Sequence, residues 1–199
     1  MKISVVGDAG VGKTSFIMAL TKLKDGEGDT KSPRSDPVPY KLKGTLTLHH
    51  GDRDLVFHDT SAHKDHIRLR QSTYKYASVI LCLFSVDSPP SFSSTRNNWE
   101  AEIKHCSKGA PWLLVGNKTD LRATQDDCIS TSSGQQQAKE LNVSYMECSA
   151  WTGEGVQEII EKLTTYDLVE DKGQEEEEDE GDTPLFTPRK RSNSKCVVL

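Results

Sequence analysis

Gly7, Gly10, Gly12, Lys13 and Thr14 fall into the spacing Gly, four residues, Gly-Lys-Thr, and each residue type there suits a chain of phosphates. Glycines adopt backbone angles that turn successive N–H groups inward, and such an anion nest at a helix N-terminus also gains from the helix dipole. The backbone of Asp8, Ala9, Gly10, Val11, Gly12, Lys13, Thr14 and Ser15 would then surround a nucleotide polyphosphate. The Lys13 ammonium is placed to reach the β- and γ-phosphates and is a candidate catalytic as well as binding group. The Thr14 hydroxyl is a candidate ligand for Mg²⁺, an ion that takes oxygen ligands and keeps much of its water.

Such a loop needs a strand before it and a helix after it. Lys2 to Val6 is short, apolar and β-branched, while Phe16, Ala19, Leu20 and Leu23 recur on one helical face. Strand, loop and helix together make a phosphate-binding P-loop. Further on, Asp54 to His58 forms a strand that ends in Asp59-Thr60-Ser61-Ala62-His63. A carboxylate at the C-terminal end of a strand beside the P-loop can hold Mg²⁺ through water, which makes Asp59 the second metal candidate, although an acidic turn residue would look the same.

Asn117-Lys118-Thr119-Asp120 follows the buried strand Pro111 to Gly116 and addresses the base. A carboxylate can accept two hydrogen bonds from guanine's N1–H and exocyclic amino group, whereas adenine offers no such pair. Asn117, Lys118 and Asp120 are therefore candidate guanine-selecting residues. Glu147-Cys148-Ser149-Ala150 follows the last strand, and the amides of Ser149 and Ala150 could reach the guanine carbonyl oxygen.

The remaining pattern alternates strands with helices. Lys24 to Pro39 reads as a long loop, Tyr40 to Leu48 as a strand, His49 to Asp52 as a turn, and His66 to Ala77 as an irregular helix. Ser78 to Phe84 is a buried strand, and Pro89-Pro90 opens a helix over Ser91 to Cys106 with Phe92, Trp99 and Ile103 inward. Ser133 to Leu141 and Gly155 to Leu168 are helices on either side of a short strand, Val143 to Met146. The order predicts an α/β fold: a mostly parallel six-stranded sheet with one antiparallel edge strand and helices on both faces.

Composition sets bounds on what the chain does. A length of 199 residues suits one domain with an extension, and a formal charge of −5 argues against general nucleic-acid binding. Five cysteines without paired spacing, and no secretory or membrane-spanning stretch, lead us to expect a reducing cytosolic setting.

Over Met1 to about Leu168 the chain resembles a small GTPase of the Ras superfamily, on Gly7 to Thr14, Asp59, Asn117 to Asp120 and Cys148 to Ala150 in that order. Arg68-Leu69-Arg70, Tyr74, Ser88-Pro89-Pro90-Ser91-Phe92 and Trp99 resemble the Rho/Rac branch, although the stretch from Asp120 to Glu147 is too short for that branch's extra helix. The resemblance implies a P-loop NTPase fold, GTP/GDP and Mg²⁺ as ligands, and GTP hydrolysis. It also implies effectors, exchange factors and GTPase-activating proteins as partners.

Several positions depart from that pattern. Ala9 stands where glycine is usual and would crowd the attacking water or an incoming arginine, slowing hydrolysis. Ala62 keeps a backbone N–H for the γ-phosphate but costs roughly 1 kcal/mol or more if the position needs positive φ. His63 replaces the water-orienting glutamine; it is either a catalytic histidine or a surface residue. Aligning Pro37-Val38-Pro39-Tyr40 with the family's Pro-Thr-Val-Phe puts Val38 where a metal-binding threonine belongs, with Thr30, Ser32 or Ser35 as substitutes. No aromatic residue upstream of it covers the guanine, so looser nucleotide retention is expected. A binding scaffold that stays GTP-loaded is the alternative to a cycling enzyme. A P-loop kinase or ATPase is opposed by Asp120.

The domain reading is 1–168 for the GTPase unit and 169–199 for a tail. Glu175 to Glu180 cannot bury an apolar face and should be disordered. Arg189-Lys190-Arg191 and Lys195 then precede Cys196-Val197-Val198-Leu199, a CaaX box whose final leucine favours geranylgeranylation of Cys196. One prenyl chain plus a basic patch meets the two-signal rule for anchoring, so the cytoplasmic face of the plasma membrane or an endomembrane, with anionic lipid as partner, is expected. Phosphorylation of Ser192 and Ser194 would add about −3 to −4 beside those cations and weaken that attraction.

Overall fold

The computed structural model describes residues 1–24 and 44–166. The sequence readings of Val38, Thr30, Ser32, Ser35 and Tyr40, of the domain boundary at 168, and of the tail with Ser192, Ser194 and Cys196 lie outside the described residues.

Six strands form one sheet: β1 (Lys2–Val6), β2 (Thr45–His50), β3 (Arg53–Asp59), β4 (Val79–Ser85), β5 (Trp112–Asn117) and β6 (Ser144–Glu147). Their order is β2-β3-β1-β4-β5-β6. Only the β2–β3 pair is antiparallel, so the expected mostly parallel sheet with one antiparallel edge is what forms. Within β4 the residues alternate between two cores. Val79, Leu81 and Leu83 pack with Phe16, Leu20 and Ile160, while Ile80, Cys82 and Phe84 pack with Tyr74, Trp99 and Ile103. A strand buried on both faces must be apolar throughout, and that is why 79–84 reads as an unbroken hydrophobic run.

The first core is covered by α1 (Lys13–Lys24) and α6 (Val156–Thr165). Val156, Ile159, Ile160 and Leu163 of α6 are all fully buried, as their helical spacing requires. The second core is covered by α2 (Ile67–Lys75), α4 (Glu100–Cys106) and α5 (Thr131–Leu141). Ahead of α4 runs α3 (Pro89–Ser94), joined to it by a π-helical turn at Thr95–Trp99. Pro89 opens α3, and the Ser88 hydroxyl accepts from the Ser91 amide at 3.3 Å.

The expected turn at His49 to Asp52 is shorter in the structure. His49 and His50 belong to β2 and pair with Asp54 and Arg53, leaving a two-residue turn at Gly51-Asp52. Gly51 has φ 58°, the conformation that a tight hairpin needs. No extra helix intervenes between the 3₁₀ turn Thr119–Ala123 and α5. Instead Arg122 fastens that connection, donating to Ile129 O at 2.7 Å and to both carboxylate oxygens of Glu147 at 2.6 and 2.8 Å. Burial pushes the Glu147 carboxyl up, but hydrogen bonds from Arg122, Tyr145 and Thr131 outweigh it and hold it below the usual carboxylate range.

Gly134 in α5 lies directly against the Tyr145 ring. A Cβ there would stand 2.2 Å from both Cζ and the phenol oxygen, and Tyr145 is tethered to Glu147 by a 2.5 Å hydrogen bond. Helix propensity alone would make Gly134→Ala stabilising by up to about 1 kcal/mol. The overlap reverses the sign: we expect a loss of about 1–3 kcal/mol in urea unfolding.

Candidate functional site

The C-terminal ends of β1, β3, β5 and β6 meet at one edge of the sheet, where open α/β folds place their ligands. Pairing of Val5 with Asp59 and of Gly116 with Glu147 fixes the height of each motif. Out of β1 comes the loop to α1, with Gly7, Gly10 and Gly12 at φ 138°, 80° and 89°. Two of these glycines are also required by space. A methyl at Gly7 would stand 2.1 Å from the Leu83 carbonyl oxygen, and one at Gly12 would stand 2.4 Å from the Asn117 amide nitrogen.

Lys13 is 8% exposed, and its ammonium donates to Gly7 O at 2.8 Å and Asp8 O at 2.7 Å. Burial lowers its pKa, with the Asp59 and Asp8 charges opposing that shift. An ammonium has three N–H groups, so one direction remains for an anion in the loop. Thr14 Oγ1 donates to Asp59 Oδ2 at 2.6 Å. Hydroxyl and carboxylate oxygens side by side at the mouth of the loop form a donor set for a hard cation.

The base-selecting residues share one bonded assembly with the phosphate loop. Asn117, fully buried, donates from Nδ2 to Val11 O at 2.9 Å and accepts the Ala150 amide on Oδ1 at 3.0 Å. Ser149 Oγ donates to Asp120 Oδ1. Lys118 sits in the left-handed region at φ 65°, and its ammonium lies 3.5 Å from Asp87 Oδ1. The Ser149 and Ala150 amides, read as facing the guanine carbonyl, have internal acceptors in Glu154 O and Asn117 Oδ1. In this arrangement the two residues fix the side chains of Asp120 and Asn117.

After β3 the chain passes through Ser61, Ala62 and His63 into a 3₁₀ turn, Lys64–His66. Ala62 is absent from the residues with positive φ, so the feared backbone cost of replacing glycine does not arise. The exposed His63 imidazole accepts the Asp65 amide at 3.3 Å and faces the His66 ring at 5.8 Å, capping its own turn. Ala9, Gly10 and Ser15 are open to solvent at the loop, while Val11 is buried. A groove of about 920 Å³ lined by Ile103, Trp112, Leu141, Tyr145 and Tyr166 contains none of the motif residues.

Residues 2–167 match the family model for the Ras family. The chain belongs to the Ras family. It is 33% identical over 209 residues to "GTP-binding protein RHO1" of Candida albicans, a match covering all of this chain and 95% of that one. It is 30% identical over 212 residues to "GTP-binding protein Rho1" of Kluyveromyces lactis, covering 100% and 94%. The Rho-like resemblance on Arg68 to Arg70, Tyr74 and Trp99 is thereby supported along the whole length, and the protein is a Rho-like small GTPase. Ras-family GTPases bind GTP and GDP, typically with Mg²⁺. The residues present fit those ligands: the loop is held free of side chains, Lys13 faces it from within, and Thr14 and Asp59 present paired oxygens.

One connection in this Ras-family chain had no local sequence signal. Asp8 Oδ1 accepts the Trp99 indole N–H at 2.8 Å and the Ser94 hydroxyl at 3.0 Å. The Arg70 guanidinium lies over the same indole, 4.9 Å from the ring centroid. Arg70 also donates to Ser61 O at 2.6 Å and, in a two-pronged pair, to Glu102 at 2.6 and 2.8 Å. Tyr74 adds a hydrogen bond to Glu102 at 2.8 Å. The phosphate loop and the segment after Asp59 are thus joined through one tryptophan.

Burial pushes the Glu102 carboxyl up, but hydrogen bonds from Arg70 and Tyr74 and the Arg70 charge prevail and hold it below its ordinary value. A carboxyl lowered in the folded state contributes stability above the unfolded value, about 4.3, and loses it as pH falls through the lowered folded value. Glu102→Gln should therefore cost about 3 kcal/mol in urea unfolding at neutral pH, because it leaves Arg70 buried without its partner. The gap from wild type should narrow progressively below about pH 4.

Proposed function

We propose that this Rho-like GTPase is a prenylated molecular switch that binds GTP and GDP, hydrolyses GTP slowly, and signals to the cytoskeleton or vesicle traffic. The observation that carries the nucleotide-binding reading is the Asn117 side chain, which ties the phosphate loop at Val11 to the base loop at Ala150 and makes one site of two motifs. In this reading Lys13 and the amides of 8–15 hold the phosphates, and Asp120 accepts guanine's two donors. Thr14 and Asp59 would hold Mg²⁺, which when bound supplies charge neutralisation on the phosphate oxygens.

Hydrolysis is slowed in this proposal by two features. The Ala9 methyl is exposed at the loop where the reacting phosphate would lie. The position of the water-orienting glutamine is taken by His63, whose Nδ1 holds the Asp65 amide. That cap favours a second reading, a signalling scaffold that remains GTP-bound and hardly turns over. Effectors, exchange factors and activating proteins are the partner classes implied by the family. Membrane attachment through Cys196 and the basic residues 189–195 places the switch on the cytoplasmic face of a membrane in both readings.

Single-turnover GTP hydrolysis by wild type and His63→Ala separates them. A cycling enzyme should carry GDP after purification and lose about 10²-fold or more in rate with the variant. GTP in the pocket and an unchanged rate would establish the scaffold. In either case Asp120→Ala should weaken GDP binding by about 10²-fold or more, measured by displacement of a fluorescent guanine nucleotide, because a charge-assisted double hydrogen bond is lost.

The lipid anchor has its own test. Cys196→Ser should abolish recovery of the protein with membranes on fractionation of expressing cells. Reversing the charge of Arg189, Lys190 and Arg191 should reduce that recovery, since each cation near an anionic leaflet contributes about 1 kcal/mol.

A further inference from the structure

The groove that holds none of the motif residues opens at the N-terminal ends of β5 and β6, where Trp112 and Ser144 begin those strands, at the opposite edge of the sheet from the nucleotide motifs. Lys104 and Lys139 are the charged residues on its lining, and no carboxylate stands beside them there. Lys104 is paired with Glu100 at 2.6 Å. Lys139 is exposed and has no ion-pair partner among the described residues. Lys108, between the lining residues Ser107 and Gly109, is exposed as well. Aromatic surface from Trp112, Tyr145 and Tyr166 thus lies within a basic rim.

The described chain ends at this groove. Tyr166, its last residue, is part of the lining, and its hydroxyl donates to Ser144 Oγ at 3.4 Å. The sequence that follows is complementary in kind. Glu175 to Glu180 is an unbroken run of carboxylates, and Leu185-Phe186 is the one pair of large apolar residues between Val169 and Cys196. A stretch of about 19 residues separates Tyr166 from Leu185 and can span up to roughly 60 Å, so reach sets no obstacle. Because the segment is tethered at the groove, docking is intramolecular, with an effective concentration on the order of mM. A contact too weak to join separate molecules is then populated within one.

We propose that residues 175–186 of this chain dock in that groove, with Leu185 and Phe186 against Trp112 and Tyr145 and the acidic run over Lys108 and Lys139. Opposite charge selects the segment, and the aromatic side chain gives it something to bury. Docking there leaves the nucleotide edge open. With the lipidation cysteine a short way further along the chain, it would also turn the groove end toward a membrane and the nucleotide edge away from it.

The full-length, GDP-loaded protein tests this when the photo-reactive amino acid p-benzoylphenylalanine replaces Phe186 and the cross-linked products are mapped by mass spectrometry. We expect a product that migrates as a monomer and joins position 186 to residues 103–112 or 135–145. Lys139→Glu should lower its yield about 3- to 10-fold, the range that loss or reversal of one exposed charge pair allows. Amide resonances of Ala138, Val143 and Tyr145 should shift in the unlabelled-tail variant Leu185→Ser/Phe186→Ser, while those of Gly10 and Lys13 stay in place. Cross-links to residues 189–195, to the nucleotide edge or to a second copy in a dimer band would overturn the proposal, as would no product at all. A groove cross-link indifferent to Lys139→Glu would overturn the charge pairing that singles out this segment.

Discussion

The side-chain amide of Asn117 does two things at once, and the nucleotide edge of the molecule depends on both. Its nitrogen holds the carbonyl of Val11 and its oxygen holds the amide of Ala150, so the loop after β1 and the loop after β6 are positioned by the end of β5. Burial makes these bonds stringent, because an unpaired amide inside the protein costs far more than a paired one gains. Gly12 belongs to the same constraint. Any side chain there would displace the Asn117 nitrogen 2.4 Å away, so Gly12 and Asn117, distant in sequence, are fixed as a pair.

The sheet supplies the rigidity behind that amide. Parallel pairing sets Asp59 against Val5 and Asn117 against Ser85, with apolar residues filling both faces of β4. Three cations in this frame, two buried and one partly so, are answered by sets of acceptors: Lys13 by two carbonyl oxygens, Arg70 by Glu102 and Ser61, Arg122 by Glu147 and Ile129. Each set fastens a loop to an element that cannot move freely. The short connection from Asp120 to α5 needs no extra helix because Arg122 spans it.

What was legible in the sequence was what chemistry or periodicity forces into a short window. The P-loop glycines, the Asp59 carboxylate at a strand end and the Asn117 to Asp120 run are each local, and all reach the same edge of the sheet. Val156, Ile159, Ile160 and Leu163 announce a buried helix face because the helix repeat allows little else. Pairings between distant residues leave no such trace. Asp8 is 91 positions from Trp99, and Arg70 is 32 from Glu102. His49 and His50 read as a turn because polar residues beside a glycine usually are one; cross-strand bonding to Asp54 and Arg53 decided otherwise. Ala62 was suspected of strain that its backbone does not carry, because φ is not written in residue type.

The tryptophan between the phosphate loop and α2 has two unlike sides. Its N–H edge is pinned to Asp8 by a directed hydrogen bond, which weakens steeply once bent or stretched. Its face carries the Arg70 guanidinium through an attraction that only requires the cation to stay within about 6 Å of the ring. The ring therefore fixes direction only toward the loop; on its other side the segment after Asp59 is held by Arg70's own bonds to Glu102 and Ser61 O. A displacement of that segment must stretch the Glu102 pair as well as shift the guanidinium on the ring, so a carboxylate on α4 shares with the indole the task of keeping the phosphate cradle apart from its neighbour.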